Sequence, residues 1–90
     1  MALDVVWSTA FSRDYKRLRK QGAPLTDLEA TIETLADRQP LSPRHHDHPL
    51  KGNWRGYREC HIQPNWLLIY RVTKDELQLA RTGSHAELFG

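Results

Sequence analysis

Three histidines stand where the chain is set to reverse direction: His48 in a proline-rich stretch, His61 just before Gln63-Pro64, and His85 just after Arg81-Thr82-Gly83. Near neutrality a histidine both accepts and donates a proton, and two of them flanking a phosphodiester suit in-line attack by the neighbouring 2′-hydroxyl. One removes the 2′ proton and the other protonates the 5′ leaving oxygen. A cation such as Arg81, or Arg55 on the His61 face, would stabilise the charge growing on the phosphoryl oxygens. That chemistry calls for no metal and no cofactor, in keeping with a sequence that carries no phosphate-binding glycine loop.

The same residues admit other readings. The run "HHDH" (His45, His46, Asp47, His48) offers imidazoles and a carboxylate to a metal, but Pro43 and Pro49 argue against a helix and adjacent ligands diverge in extended chain. His45 and His46 also read as surface residues of a polar loop. Pro64-Asn65 is good turn chemistry with no function attached. Cys60 is the only cysteine, so it forms no internal disulfide, and its place in a strand pattern marks a small buried thiol.

The elements that must position these groups follow from periodicity. "LDVVWS" reads as a short strand, after which Ser8 or Thr9 can cap a helix. Phe11, Tyr15 and Leu18 form one apolar stripe, with basic residues on the other faces, and Gly22 and Pro24 end that helix. Leu28, Ile32, Leu35 and Ala36 repeat at threes and fours in a second helix that starts near Leu25 and is expected to run until Pro40. The segment from Pro40 to Asn53 has no period and reads as a long loop, a kind of segment that is commonly functional or mobile. From Trp54 the period becomes two. "WRGYRECHI" places Arg55, Tyr57, Glu59 and His61 on one face and Trp54, Arg58, Cys60 and Ile62 on the other. "WLLIYRV" fits a central strand, "ELQLART" alternates again, and the connections between them are short enough for hairpins. The expected fold is α+β: two N-terminal helices packed on a small antiparallel β-sheet. In such a meander the third strand returns to the Gln63-Pro64 edge, so His61, Asn65 and His85 become neighbours, whereas the His48 loop must fold back over the face to join them.

Ninety residues make one small domain, 1–90, in which each large apolar residue counts. No apolar run reaches the roughly 18 residues of a membrane span, and the start lacks the order of a secretory signal, so a soluble, cytoplasmic protein is expected. The formal charge is only +2, but Arg13, Lys16, Arg17, Arg19 and Lys20 crowd one segment opposed by Asp14, while the next segment is acidic. Lys16, Arg17 and Lys20 could gather phosphates, or simply form a solvated helix face.

The last half of the chain carries a more specific pattern: D-H-P-L-x-G-x-W-x-G-Y-R from Asp47, H-x-x-P-x-W-x-L-I-Y from His61, and R-T-G-[ST]-H-x-x-L-F from Arg81. It resembles the YafQ branch of the RelE/ParE toxin superfamily, small toxins that cleave messenger RNA on the ribosome. The resemblance implies a microbial RNase fold with its site on the concave sheet surface. It places the family's functional histidines on His48, His61 and His85 and its C-terminal aromatic on Phe89. His48 and His85 would be the proton-transfer pair, His61 a positioning or phosphate-binding group, and Phe89 a stacking platform for a base. It further implies a cognate antitoxin as partner, contact with ribosome and mRNA, operator DNA reached only through the antitoxin complex, and no membrane. One position departs from the family, which usually has aspartate where this chain has Asn65. Asparagine keeps an acceptor but no charge, so an attenuated or inactive toxin is one expectation. The alternatives are a catalytically silent partner-binding module of the same fold and, as in the ParE branch, a gyrase inhibitor, against which the histidine set argues.

Overall fold

The front strand forms at Asp4–Trp7 (β1), and Ser8 then turns the chain into helix α1, Thr9–Lys20. Ser8 Oγ accepts from the Phe11 N–H at 2.9 Å, satisfying one of the helix's unpaired donors. The computed structural model describes residues 2–90. Helix α2 spans Leu25–Ala36 and stops short of Pro40, because Arg38 takes a left-handed φ of 60° that lets the Arg38 and Gln39 N–H groups bond back to Leu35 and Thr34. A 3₁₀ turn at Pro43–His45 leads to β2 (His48–Pro49), a second at Gly52–Trp54 leads to β3 (Arg58–Gln63), and β4 (Trp66–Val72) and β5 (Glu76–Gly83) follow by hairpins. A short helix, α3, closes the chain at His85–Phe89.

The five strands of the described residues form one sheet in the order β1-β5-β4-β3-β2. From β2 to β5 every pairing is antiparallel, as expected, but β1 lies parallel to β5, with Val5 opposite Leu77 and Trp7 opposite Leu79, so the sheet is mixed by one edge strand. The two long helices cover one face, where Phe11, Leu18, Leu28, Leu35, Cys60, Ile62, Leu68, Tyr70, Leu77 and Leu79 make the main core. The other face carries a smaller cluster, Leu67, Ile69 and Leu88, flanked by Leu50, Trp54, Tyr57 and Ala80. Leu88 thus fastens α3 to the open face of β4.

Three departures from the periodic reading matter for the site. Trp54 packs on the open face, not with Cys60 and Ile62, because Gly56, at φ 94°, resets the phase before β3 begins at Arg58. The loop after Pro40 folds back at the sheet's edge rather than over its face: β2 pairs with β3, setting His48 opposite Glu59. In β5 a register shift skips Ala80, so Arg81 stands opposite Ile69 and not Leu68; strict alternation would have turned Arg81 into the helix-covered core.

Among the described residues, β5 has no strand beside it on this edge beyond Trp7, and α1 covers the gap with side chains. Ser8 Oγ donates to Ala80 O at 2.8 Å, Asp14 accepts from the Thr82 N–H at 3.1 Å, and Arg17 Nη2 donates to Thr82 O at 3.1 Å. Buried backbone groups that a neighbouring strand would have paired are paired by these instead.

Candidate active site

Strand β3 places Glu59 and His61 on the open face by simple alternation, opposite Ile69 and Leu67 of β4. Glu59 is 6% exposed, yet it is a carboxylate. Its Oε2 lies 2.9 Å from His48 Nε2 and 3.8 Å from His61 Nε2. The other nitrogen of each ring also meets an acceptor: His48 Nδ1 is 3.1 Å from Pro49 O, and His61 Nδ1 is 3.3 Å from Pro64 O.

Pro64 and Asn65 form the β3–β4 turn, and there the contacts continue. Asn65 Oδ1 accepts from the His85 N–H at 3.4 Å, across a sequence separation of 20 residues. His85 is the first residue of α3, whose start is fixed by a capping box: Ser84 Oγ accepts from the Glu87 N–H and the Glu87 carboxylate accepts from the Ser84 N–H. One turn on, the Phe89 ring lies 5.0 Å from the His85 ring, and both residues are exposed. An unbroken series of contacts therefore runs from His48 through Glu59, His61 and the Pro64-Asn65 turn to His85 and Phe89. Alongside it, an open groove of about 420 Å³ is lined by Arg44, His46 and His61.

Of the expected neighbours, Asn65 meets His85 through its backbone N–H, and His61 meets the carbonyl of Pro64, the residue before Asn65. The cations are placed less simply. Arg81 is held by Asp14, with Nε–Oδ2 at 2.6 Å and Nη2–Oδ1 at 3.1 Å, and that hydrogen bond, opposed by partial burial, raises its pKa further. Arg17 is no free surface charge: it pairs with Asp14 at 2.8 Å and with Glu87 at 3.1 Å, tying α1 to α3. Gly83 leaves room for this, since a Cβ there would sit 2.7 Å from Arg17 Nη2 and 2.9 Å from Glu87 Oε1. Lys16 and Lys20 are exposed on α1, and Arg55 is exposed at the end of the 3₁₀ turn, outside the strand where alternation had put it.

The "HHDH" run does not converge. His45 is buried with Nδ1 2.8 Å from His61 O, His46 takes a left-handed φ of 46° and sets its ring 5.6 Å from that of His61, Asp47 accepts from Arg58 and Tyr70 on the helix-covered side, and His48 turns to Glu59. Among the described residues, no group of three or more His, Cys, Asp or Glu side chains is placed to hold a metal ion, and no helix is long and apolar enough to cross a membrane. The Cys60 thiol, pushed up to about 12 chiefly by burial, is not a nucleophile.

Sequence reasoning named neither Glu59 nor Asp14 as a working residue. For Glu59 the signal was present, an acidic residue two positions from His61 on the same strand face. For Asp14 the signal was a carboxylate on the apolar stripe, between Phe11 and Leu18.

Comparison with known proteins extends the likeness over the whole chain. Residues 3–90 match the family described as bacterial toxin of type II toxin–antitoxin system, YafQ. The mRNA interferase toxin YafQ of Escherichia coli K12 is 40% identical over 88 residues, covering 97% of this chain and 96% of the relative. The crystal structure of YafQ from E. coli BL21(DE3) superposes with a TM-score of 0.93 at 38% identity, covering 98% and 99% of the two chains. The toxin of the E. coli DinJ–YafQ toxin–antitoxin complex does so with a TM-score of 0.92 at 38% identity over all of both chains.

Proposed function

The chain belongs to the YafQ family of bacterial type II toxin–antitoxin toxins, and from that premise we propose that it is an endoribonuclease that cleaves messenger RNA on the translating ribosome. The observation that carries the reading is the series of contacts that gathers His48, His61, Asn65, His85 and Phe89 at one end of the open sheet face. His48 and His85 form the proton-transfer pair for in-line attack of a 2′-hydroxyl on the adjacent phosphodiester: the bond to the 5′ oxygen breaks as the 2′ oxygen bonds phosphorus, one imidazole taking the 2′ proton and the other supplying a proton to the leaving oxygen. His61, held between Glu59 and the Pro64 carbonyl, positions the phosphate. Arg81, anchored by Asp14, adds positive charge near the phosphoryl oxygens. Phe89 stacks on a base, while Lys16, Lys20 and Arg55 contact RNA phosphates.

A cognate antitoxin is the protein partner, as DinJ is for the E. coli relative, and operator DNA is reached only through that complex. The compartment is the cytoplasm, where translating ribosomes are.

Asn65 supports the placement of His85, because an amide oxygen accepts from the helix N–H as a carboxylate would. What it lacks is charge, which also favours a helix N-terminus. Asn65→Asp is therefore expected to raise cleavage, by up to the roughly 10²–10⁴-fold of a general acid–base contribution if the carboxylate handles a proton. The test maps cleavage ends on an mRNA being translated in a reconstituted system. Cuts that appear with this chain and strengthen with Asn65→Asp support an attenuated toxin; equal cleavage shows that the carboxylate is dispensable. Asn65 also gives a second reading its one support, a partner-binding module without nuclease chemistry, and absence of cuts with both proteins would put that reading first.

A further inference from the structure

We infer that Glu59 is the positioning residue of this site, a buried carboxylate that orients the His48 and His61 rings together. A carboxylate at 6% exposure loses most of its hydration, and leaving it without a cation costs several kcal/mol, on the order of an uncompensated buried charge. The candidates for its partner can be enumerated. Across β4 it faces Ile69, which is apolar. Arg58, its neighbour on β3, turns to Asp47 on the other side of the sheet. Arg71 lies over the Tyr57 ring and donates to Gln78 at 2.7 Å. Arg81 is engaged by Asp14. Among the described residues, only the imidazoles of His48 and His61 reach it, both at the same oxygen, Oε2.

A charge needed only for stability would pair with arginine, which never loses its proton. A carboxylate shared by two histidines instead sets which nitrogen of each ring carries a proton and which way each ring points, while half of the His48 side chain stays open to solvent. With Nε2 directed at Glu59 and Nδ1 at a backbone carbonyl, each ring is held from both ends. Glu59 touches no reacting atom; it acts through the histidines.

The kinetic arm of the test rests on the cleavage reading above, and the spectroscopic arm does not. Ring-nitrogen NMR of the free protein should show the His48 and His61 resonances moving together in Glu59→Gln, with those of His85 unmoved; unmoved His48 and His61 signals overturn the inference. In single-turnover cleavage, Glu59→Gln should lower the rate at saturating ribosome about 10–100-fold, the usual effect of removing a partner that orients a functional histidine, with little change in half-saturation. In a background with both His48→Ala and His61→Ala the same substitution should cost far less, because both of its routes to the reaction are gone. A full second loss would show that Glu59 acts independently, and the inference would fall. Should the unsubstituted chain cut no RNA, the functional reading fails by itself and the ring signals alone decide the role of Glu59.

Discussion

His85→Ala is expected to lower mRNA cleavage by about 10²–10⁴-fold, the range of a general acid–base group, without unfolding the protein. The reason for so separable an effect lies in how α3 is held. His85 is exposed, its ring lies against that of Phe89, and the start of the helix is fixed by backbone and by other side chains: the Ser84–Glu87 capping box and Asn65 on the residue-85 N–H. Alanine keeps that N–H and is a good helix former, so the stability cost should stay within about 0.5 kcal/mol. The measurement is single-turnover cleavage beside a denaturation curve. Growth inhibition by the induced protein should vanish in parallel. Cleavage equal to that of the parent would remove His85 from the proton-transfer pair, and growth inhibition that survives intact would favour a toxin acting by partner binding.

The largest expected effect on stability comes from Asp14. At 2% exposure its carboxylate accepts from Arg81 Nε and Nη2, Arg17 Nη1 and the Thr82 N–H. Asp14→Ala leaves the Arg81 guanidinium and one buried N–H without their acceptor and takes one of the partners of Arg17, which keeps Glu87 and the Thr82 carbonyl; a change of this kind costs about 3–5 kcal/mol, against a total of about 5–15 kcal/mol for a typical domain. Denaturant titration checks this, and a loss under about 1 kcal/mol would mean that water or Glu87 replaces the lost acceptor. The pH dependence has a definite sign. Burial alone would raise the Asp14 pKa, but the hydrogen bonds from Arg81, Arg17 and Thr82 together outweigh it and hold the group below its ordinary value of 3.8. Folding therefore gains from Asp14 fully above pH 3.8, and the gain is lost as pH falls through the depressed value. Glu87, lowered chiefly by its hydrogen bond with the Ser84 backbone, adds to the same acid limb, and that limb should be shallower in Asp14→Ala.

The two residues meet in one device. Asp14 secures Arg17, Arg17 reaches Glu87, and Glu87 completes the box that starts α3 at His85. A charge on α1 that looked like part of an RNA-gripping stripe thus helps to place the proposed catalytic histidine from the opposite side of the sheet edge.

What the sequence determined by itself was everything governed by neighbours a few residues apart. The apolar stripe of Phe11, Tyr15 and Leu18, the repeat through Leu28 and Leu35, the Ser8 cap, the Pro64-Asn65 turn and the strands on either side of it were all legible, because helix periodicity, capping and turn chemistry act over about one to four residues. The motifs around His48, His61 and His85 likewise named the family from residue identity alone. Tertiary structure decided the rest. Whether β1 pairs parallel or antiparallel depends on where two helices return the chain. That His48 meets Glu59 depends on a two-residue edge strand formed across 11 positions, and that Asp14 meets Thr82 depends on a contact across 68. The bulge at Ala80 that turns Arg81 out of the core is visible only against its partner strand. Pairings over such distances are selected by the burial of both faces of the sheet and by the need to satisfy every buried charge and backbone group, and no local spacing encodes that requirement.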